Sequence, residues 1–124
     1  MAAYEKDELT EKIIAGRFRV HTQLGPGFKE EIYRRALIID FKKRKMNFTS
    51  EKEFDVEFDS QRIGRFRCDF LIDERVVLEI KSVTGIMPIL FRQQILSYLR
   101  ASKTKTGLLV NFGNKSCEVK RYSI

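Results

Sequence analysis

The chain has no tryptophan, one histidine, two prolines and two cysteines, and no apolar run in it approaches membrane-spanning length. Each scarcity closes off a class of function. His21 stands alone, without neighbours at ligand spacing, which argues against a catalytic or metal-binding histidine. Cys68 and Cys117 fall in stretches of alternating apolar residues without CxxC spacing, and read as buried, reduced thiols rather than a structural zinc site. The opening MAAYEKDELTEK lacks the apolar core of a signal peptide, so a cytoplasmic protein with no membrane partner is expected.

What is present describes an ordinary globular chain. Its 124 residues are 43% hydrophobic, enough for one core and too few for two, so a single domain spanning residues 1–124 is expected. Formal net charge is +7, and the excess is local. It gathers in FKKRK (Phe41 to Lys45), at Arg34 and Arg35, at Arg62, Arg65 and Arg67, and in the last third of the chain. A basic balance favours a polyanionic partner, because neutralising phosphates releases counterions. Lys42, Lys43, Arg62, Arg65 and Arg67 are the candidates for nucleic-acid contact. The plainer alternative is that Lys42 to Lys45 complement the negative end of a helix dipole.

Local patterning orders the chain α-α-β-β-β-α-β-β, an α/β protein. Behind Asp7, which can cap, Leu9, Ile13, Ile14 and Phe18 recur at helical spacing to about Val20. LGPGF breaks that helix, and Phe28, Ile32, Ala36, Leu37 and Phe41 mark a second one ending near Lys45. Alternation then predicts three strands in antiparallel succession, Lys52 to Phe58, Arg62 to Ile72 and Val76 to Val83. A third helix from Ile89 to Ala101 shows a face of Ile89, Leu90, Gln93, Leu96 and Leu99, and two strands, Gly107 to Phe112 and Cys117 to Ile124, meet through GNKS. LGPGF itself is no phosphate loop, because no Gly-Lys-Ser/Thr follows it.

Register singles out three charged residues. In RCDFLIDERVVLEIKS, strict alternation puts Phe66, Cys68, Phe70 and Ile72 on one face and Arg67, Asp69 and Leu71 on the other. Val76, Leu78 and Ile80 must join the first row to build one core, so Ile72 pairs with Val76 around an odd-length turn, Asp73 to Arg75. Asp69 then falls opposite Glu79, with Lys81 two residues on. Like charges set opposite each other destabilise a sheet, and a divalent cation would give them a reason. Two carboxylates, water and a substrate phosphate suit Mg²⁺ or Mn²⁺, and Lys81 would orient or deprotonate the attacking water. The plainer alternative is a Glu79–Lys81 surface ion pair beside a solvated Asp69.

The arrangement Asp69, then Glu79-Ile80-Lys81, on consecutive strands after a helix resembles the PD-(D/E)XK nuclease superfamily. GFKEEIY (Gly27, Glu30, Tyr33) is similar to the motif that names its GxxExxY branch, and the likeness runs from about Leu24 to Tyr122. Cys68 stands where the superfamily has its proline. The resemblance implies a restriction-endonuclease-like αβββαβ core, a mixed sheet flanked by helices, with an extra N-terminal helix and C-terminal strand. It also implies a metal-dependent nuclease acting on nucleic acid, DNA being the expected substrate and Mg²⁺ or Mn²⁺ the cofactor. Asp69, Glu79 and Glu30 would be metal ligands and Lys81 the catalytic lysine, with Glu30 and Gln94 in catalytic support. Gln94 and Tyr98 match the Q-x-x-x-Y mark of RecB-like members, which makes Tyr98 a candidate nucleic-acid contact.

Each carried residue keeps a bland alternative. Glu30 would favour the positive end of its helix, Tyr33 would be core, Gln94 would cap a neighbouring strand and Tyr98 would pack. The rival function is a nuclease-fold module with little or no turnover that holds nucleic acid or a partner protein. Cutting both strands would call for a homodimer, with the terminal strand an available edge.

Overall fold

The computed structural model describes residues 7–124. Residues 1–6, which open the segment read as lacking a signal-peptide core, lie outside it. Three helices and five strands follow in the expected order: α1 (Glu8–Leu24), α2 (Glu30–Lys43), β1 (Phe48–Phe58), β2 (Gln61–Ile72), β3 (Val76–Lys81), α3 (Ile89–Ser102), β4 (Thr106–Asn111) and β5 (Glu118–Ser123). No helix among the described residues is long and apolar enough to cross a membrane.

The strands form one sheet in the order β1-β2-β3-β4-β5. β1, β2 and β3 are successively antiparallel, β4 runs parallel to β3 after the α3 crossover, and β5 returns antiparallel at the edge. The fold is the mixed α/β core that the resemblance implied, with the additional α1 and β5. One face of the sheet, with Phe70, Ile72, Leu78, Ile80, Leu108, Val110 and Phe112, packs under α1 and α2 through Ile13, Val20, Tyr33, Leu37 and Phe41. The other face meets α3 through Ile95 and Leu99. Because β3 and β4 are covered on both sides, their residues are buried almost without interruption.

Three helix faces differ from the sequence reading. Asp7 caps α1 by accepting the Leu9 N–H at 3.0 Å, but the buried positions are Thr10, Ile13, Gly16 and Val20, and Phe18 is 62% exposed. On α2 the buried row is Tyr33, Leu37 and Phe41, one helical turn apart, while Phe28 and Ile32 are exposed. On α3 it is Ile95 and Leu99, while Ile89, Leu90 and Gln93 face solvent. Ile13, Leu37, Phe41 and Leu99 belong to both the expected and the buried rows.

The β2–β3 register is the one that parity demands, Ile72 pairing with Val76. Parity fails elsewhere on β2. The β1–β2 ladder pairs Ser50 with Phe70 and resumes at Lys52 with Cys68, and between them Glu51 adopts φ 54°, a left-handed conformation. Across that point both strands exchange faces. Phe48 and Phe70 belong to the core under α1 and α2, whereas Phe54 and Cys68 pack towards α3 and Phe66 stacks on its Tyr98. Phe66, Cys68, Phe70 and Ile72 therefore do not share a face, and Asp69 sits at the turnover.

Candidate active site

β2 and β3 stay paired from Ile72–Val76 to Phe70–Leu78. At the next position side chains take the place of main-chain rungs. The Asp69 N–H donates to Glu79 Oε1 at 3.0 Å, and the Ile80 N–H donates to Asp69 Oδ2 at 2.7 Å. This reciprocal pair brings two carboxyl groups together between parting strands. Glu79 is buried at the end of a row of β-branched and aliphatic residues, and Asp69 is half-buried.

Their electrostatics follow from that position. Burial, then the neighbouring Asp69 charge, pushes the Glu79 carboxyl up to about 8, so Glu79 is the member of the pair that keeps a proton near neutrality. Asp69 is also raised by burial, against the pull of the Ile80 N–H, the Lys81 ammonium and the Arg34 guanidinium. Burial raises Glu30 as well, Lys81 lowering it and Asp69 raising it. Burial also pushes the Cys68 thiol up to about 12, with help from Glu79 and Asp69, so Cys68 is an inert neighbour rather than a nucleophile.

Glu30 reaches the site because of the loop before it. Gly25 and Gly27 have φ of 67° and 114°, values glycine adopts without steric cost, and they turn the chain sharply from α1 into α2. The buried Tyr33 hydroxyl donates to the Gly25 carbonyl at 2.6 Å and accepts the Phe28 N–H at 3.2 Å, while its ring lies 4.4 Å from that of Phe112. Gly27, Glu30 and Tyr33 thus act as one unit: the tyrosine ties down the loop that starts the helix carrying the glutamate.

The remaining candidates divide. Lys81 is half-buried, its Nζ 4.3 Å above the centre of the Phe91 ring. Gln94 and Tyr98 share the half-buried side of α3. Tyr98 stacks on Phe66 at 4.3 Å, and burial together with the charges of Glu79 and Asp69 raises its hydroxyl. Arg62, Arg65 and Arg67 are not brought together as a bare basic patch. Each stands across the ladder from an acid, Glu57, Asp55 and Glu53 respectively, with Arg65 3.2 Å from Asp55. Lys42 and Lys43 occupy the last turn of α2, roughly 18 Å along the helix axis from Glu30. His21 is structural, its Nε2 2.8 Å from the Asn114 carbonyl.

Sequence reasoning counted Arg34 only in the basic excess; it forks between Glu31 on its own helix and Glu51, 3.2 Å away at the strand turnover. Sequence reasoning missed Asn111, a fully buried polar residue ending the apolar run GLLVN; that mismatch was the available signal.

Among the described residues no three His, Cys, Asp or Glu side chains are gathered closely enough to hold a metal ion. Two carboxyl groups do converge, each with one oxygen anchored by a main-chain N–H. This all-oxygen donor pair fits a hard divalent cation whose remaining positions are filled by water and phosphate. Asp69 and Glu79 are the residues that would hold it, Glu30 standing within electrostatic reach.

The family model described as the PD-(D/E)XK nuclease superfamily matches residues 7–122, and the chain belongs to that superfamily. Its members are nucleases that generally use divalent metals. No curated protein matches. Among solved structures, the crystal structure of SSO0001 is similar with a TM-score of 0.54 at 18% identity, over 98% of this chain and 70% of that one, a likeness of fold.

Proposed function

We propose that the protein is a divalent-metal-dependent nuclease that hydrolyses phosphodiester bonds in DNA, and that it belongs to the GxxExxY branch of its superfamily. The observation that carries the reading is the interlocked Asp69–Glu79 pair, opening where β2 and β3 part and flanked by Lys81 and Glu30. The chemistry supplied there by a bound Mg²⁺ or Mn²⁺ is a more acidic water and neutralisation of phosphate charge. Asp69 and Glu79 would hold the ion, each keeping one oxygen that the main-chain bonds leave free. Lys81 would orient the attacking water and offset the charge that develops on the phosphate. Glu30 and Gln94 hold water at the rim, and the Tyr33 tie keeps Glu30 in place.

The test is incubation of plasmid and single-stranded DNA with purified protein in Mg²⁺, Mn²⁺ or EDTA, beside Asp69→Asn. Cleavage in metal alone, absent in the variant, is the expected outcome. Equal cleavage by Asp69→Asn, or none under any metal, would sink the reading and leave a binding module.

A further inference from the structure

The run from Ile80 to Cys117 contains no aspartate or glutamate. The ion pairs among the described residues all lie between Asp7 and Arg75, and none involves a cation of this run. Within it, the loop joining β3 to α3 is clamped by two carboxamides. Asn111 accepts the Val83 N–H and donates to the Val83 carbonyl, each at 3.0 Å, and Asn114 does the same to Gly85 at 2.8 Å. Gly113 lies so near Val83 that a Cβ there would come within 2.2 Å of its carbonyl oxygen. On the other side the Ser82 hydroxyl donates to the Phe28 carbonyl at 2.7 Å, and Met87 is buried.

A loop fixed at so many points would be expected to turn its apolar side chains inward. This one holds Ile86 outward, 93% exposed, beside Ile89 at 75% and Leu90 at 57% on the first turn of α3. Exposed cations adjoin two of the clamp residues, Phe28 and Asn114, and the first turn of α3. Lys29 follows Phe28, Lys115 follows Asn114, and Arg92 follows Phe91, and none has a carboxylate partner among the described residues. The loop leaves β3 directly after Lys81, which flanks the carboxyl pair.

We infer that the tip of the β3–α3 loop and its ring of cations dock unpaired nucleotides beside the phosphodiester to be cut. Bases rest on Ile86 and Ile89, and phosphates meet Lys29, Arg92 and Lys115. Apolar side chains fit exposed base faces, which a blunt duplex keeps stacked inside, so the surface selects single-stranded or frayed nucleic acid. The inference rests on the nuclease reading above and gives it a substrate class.

Fluorescence anisotropy of labelled oligothymidine and of a blunt duplex, in EDTA with the whole chain, tests it. The single strand binds the parent more tightly than the duplex. Ile86→Glu weakens single-strand binding about tenfold and Ile86→Ala by less, with duplex binding little changed. Lys115→Glu reduces the log-log salt slope on single strands by about 0.7. Mn²⁺ binding, followed by calorimetry, stays parental in all three. Parental single-strand affinity in both Ile86 variants, or tighter binding of the blunt duplex, overturns the inference. So does displacement of the oligonucleotide by polyglutamate as readily as by unlabelled oligothymidine, which would assign the tip to an acidic protein partner. Binding that depends on Ile86 in a protein that takes up no Mn²⁺ and cuts nothing upholds this surface while removing the catalytic reading.

Discussion

In the hairpin of β1 and β2 every arginine read as a phosphate contact stands across from an acid, whereas from Ile80 to Cys117 the chain has no acid to stand across from anything. The two regions carry similar cations to opposite effect. On the hairpin, Arg65 pairs with Asp55 and Arg67 reaches Glu51, while Arg62 stands across the ladder from Glu57. Around the β3–α3 loop, Lys29, Arg92 and Lys115 form no ion pair among the described residues. Charge density in a sequence does not by itself say which cations are left without an acidic partner. What counts is the cation left without a cross-strand or helical partner, and the acid-free run marks it.

The boundary between the regions runs between Glu79 and Lys81, and the largest effect should come from breaking it there. Lys81→Ala is expected to lower the single-turnover cleavage rate by about 10² to 10⁴-fold, the usual range for a positioned proton-transfer group. Mn²⁺ binding by calorimetry should persist, because the ammonium is not a ligand. Parental cleavage in this variant would make the boundary a matter of composition only.

The acid side of the boundary should show itself in stability. Glu79 is raised from its ordinary 4.5 to about 8, so the folded state keeps a proton that the unfolded chain releases between those values. That contribution is complete below about pH 4.5 and is lost as pH rises towards 8. In EDTA the melting temperature should therefore fall across this window, and Glu79→Gln should flatten the fall. Asp69→Asn should melt in EDTA at or above the parent, since its amide oxygen can still accept the Ile80 N–H. Mn²⁺ at a hundredfold excess over Kd should stabilise the parent by about 2.7 kcal/mol and the Asn variant hardly at all. A much lower melting temperature for Asp69→Asn in EDTA would make Asp69 a structural acceptor first.

A smaller effect sharpens the link between the loop before α2 and Glu30. Tyr33→Phe removes one donor and one acceptor from the Gly25–Phe28 turn and should cost about 1 to 2 kcal/mol in urea unfolding. An unchanged midpoint would show that the ring, stacked on Phe112, holds the turn without its hydroxyl.

The smallest effect is expected at the far end of α2. Reversing Lys42 and Lys43 together should leave the salt slope for single-stranded DNA unchanged. Flattening by about 0.7 per lysine would return them to the phosphate-binding surface.

Much of this architecture was legible. Element order follows from periodicity, and the Ile72–Val76 register follows from parity, because two apolar rows have only one way to coincide. That register alone brings Asp69 to Glu79. Parity assumes an unbroken pleat, however, and Glu51 breaks it with a left-handed backbone that no glycine advertises. The exchange of faces between Phe70 and Cys68 was therefore hidden. The apolar side chains of Ile89 and Leu90 looked like core because hydropathy does not distinguish an inward face from a presented one. The clamps of Asn111 and Asn114 were invisible for a different reason: they bond to Val83 and Gly85, nearly thirty residues earlier, through contacts with no local signature.

The reciprocal bonds between Asp69 and Glu79 give those two positions a second occupation, since their side chains complete the end of a strand pair. A descendant of this fold that lost turnover would still be under pressure to keep oxygen acceptors there, merely to stay folded. Lys81 carries no such burden, because its side chain closes no rung and rests on Phe91. In any chain built on this plan the acids alone are weak testimony to a working enzyme, and the lysine is the residue whose loss would record its retirement.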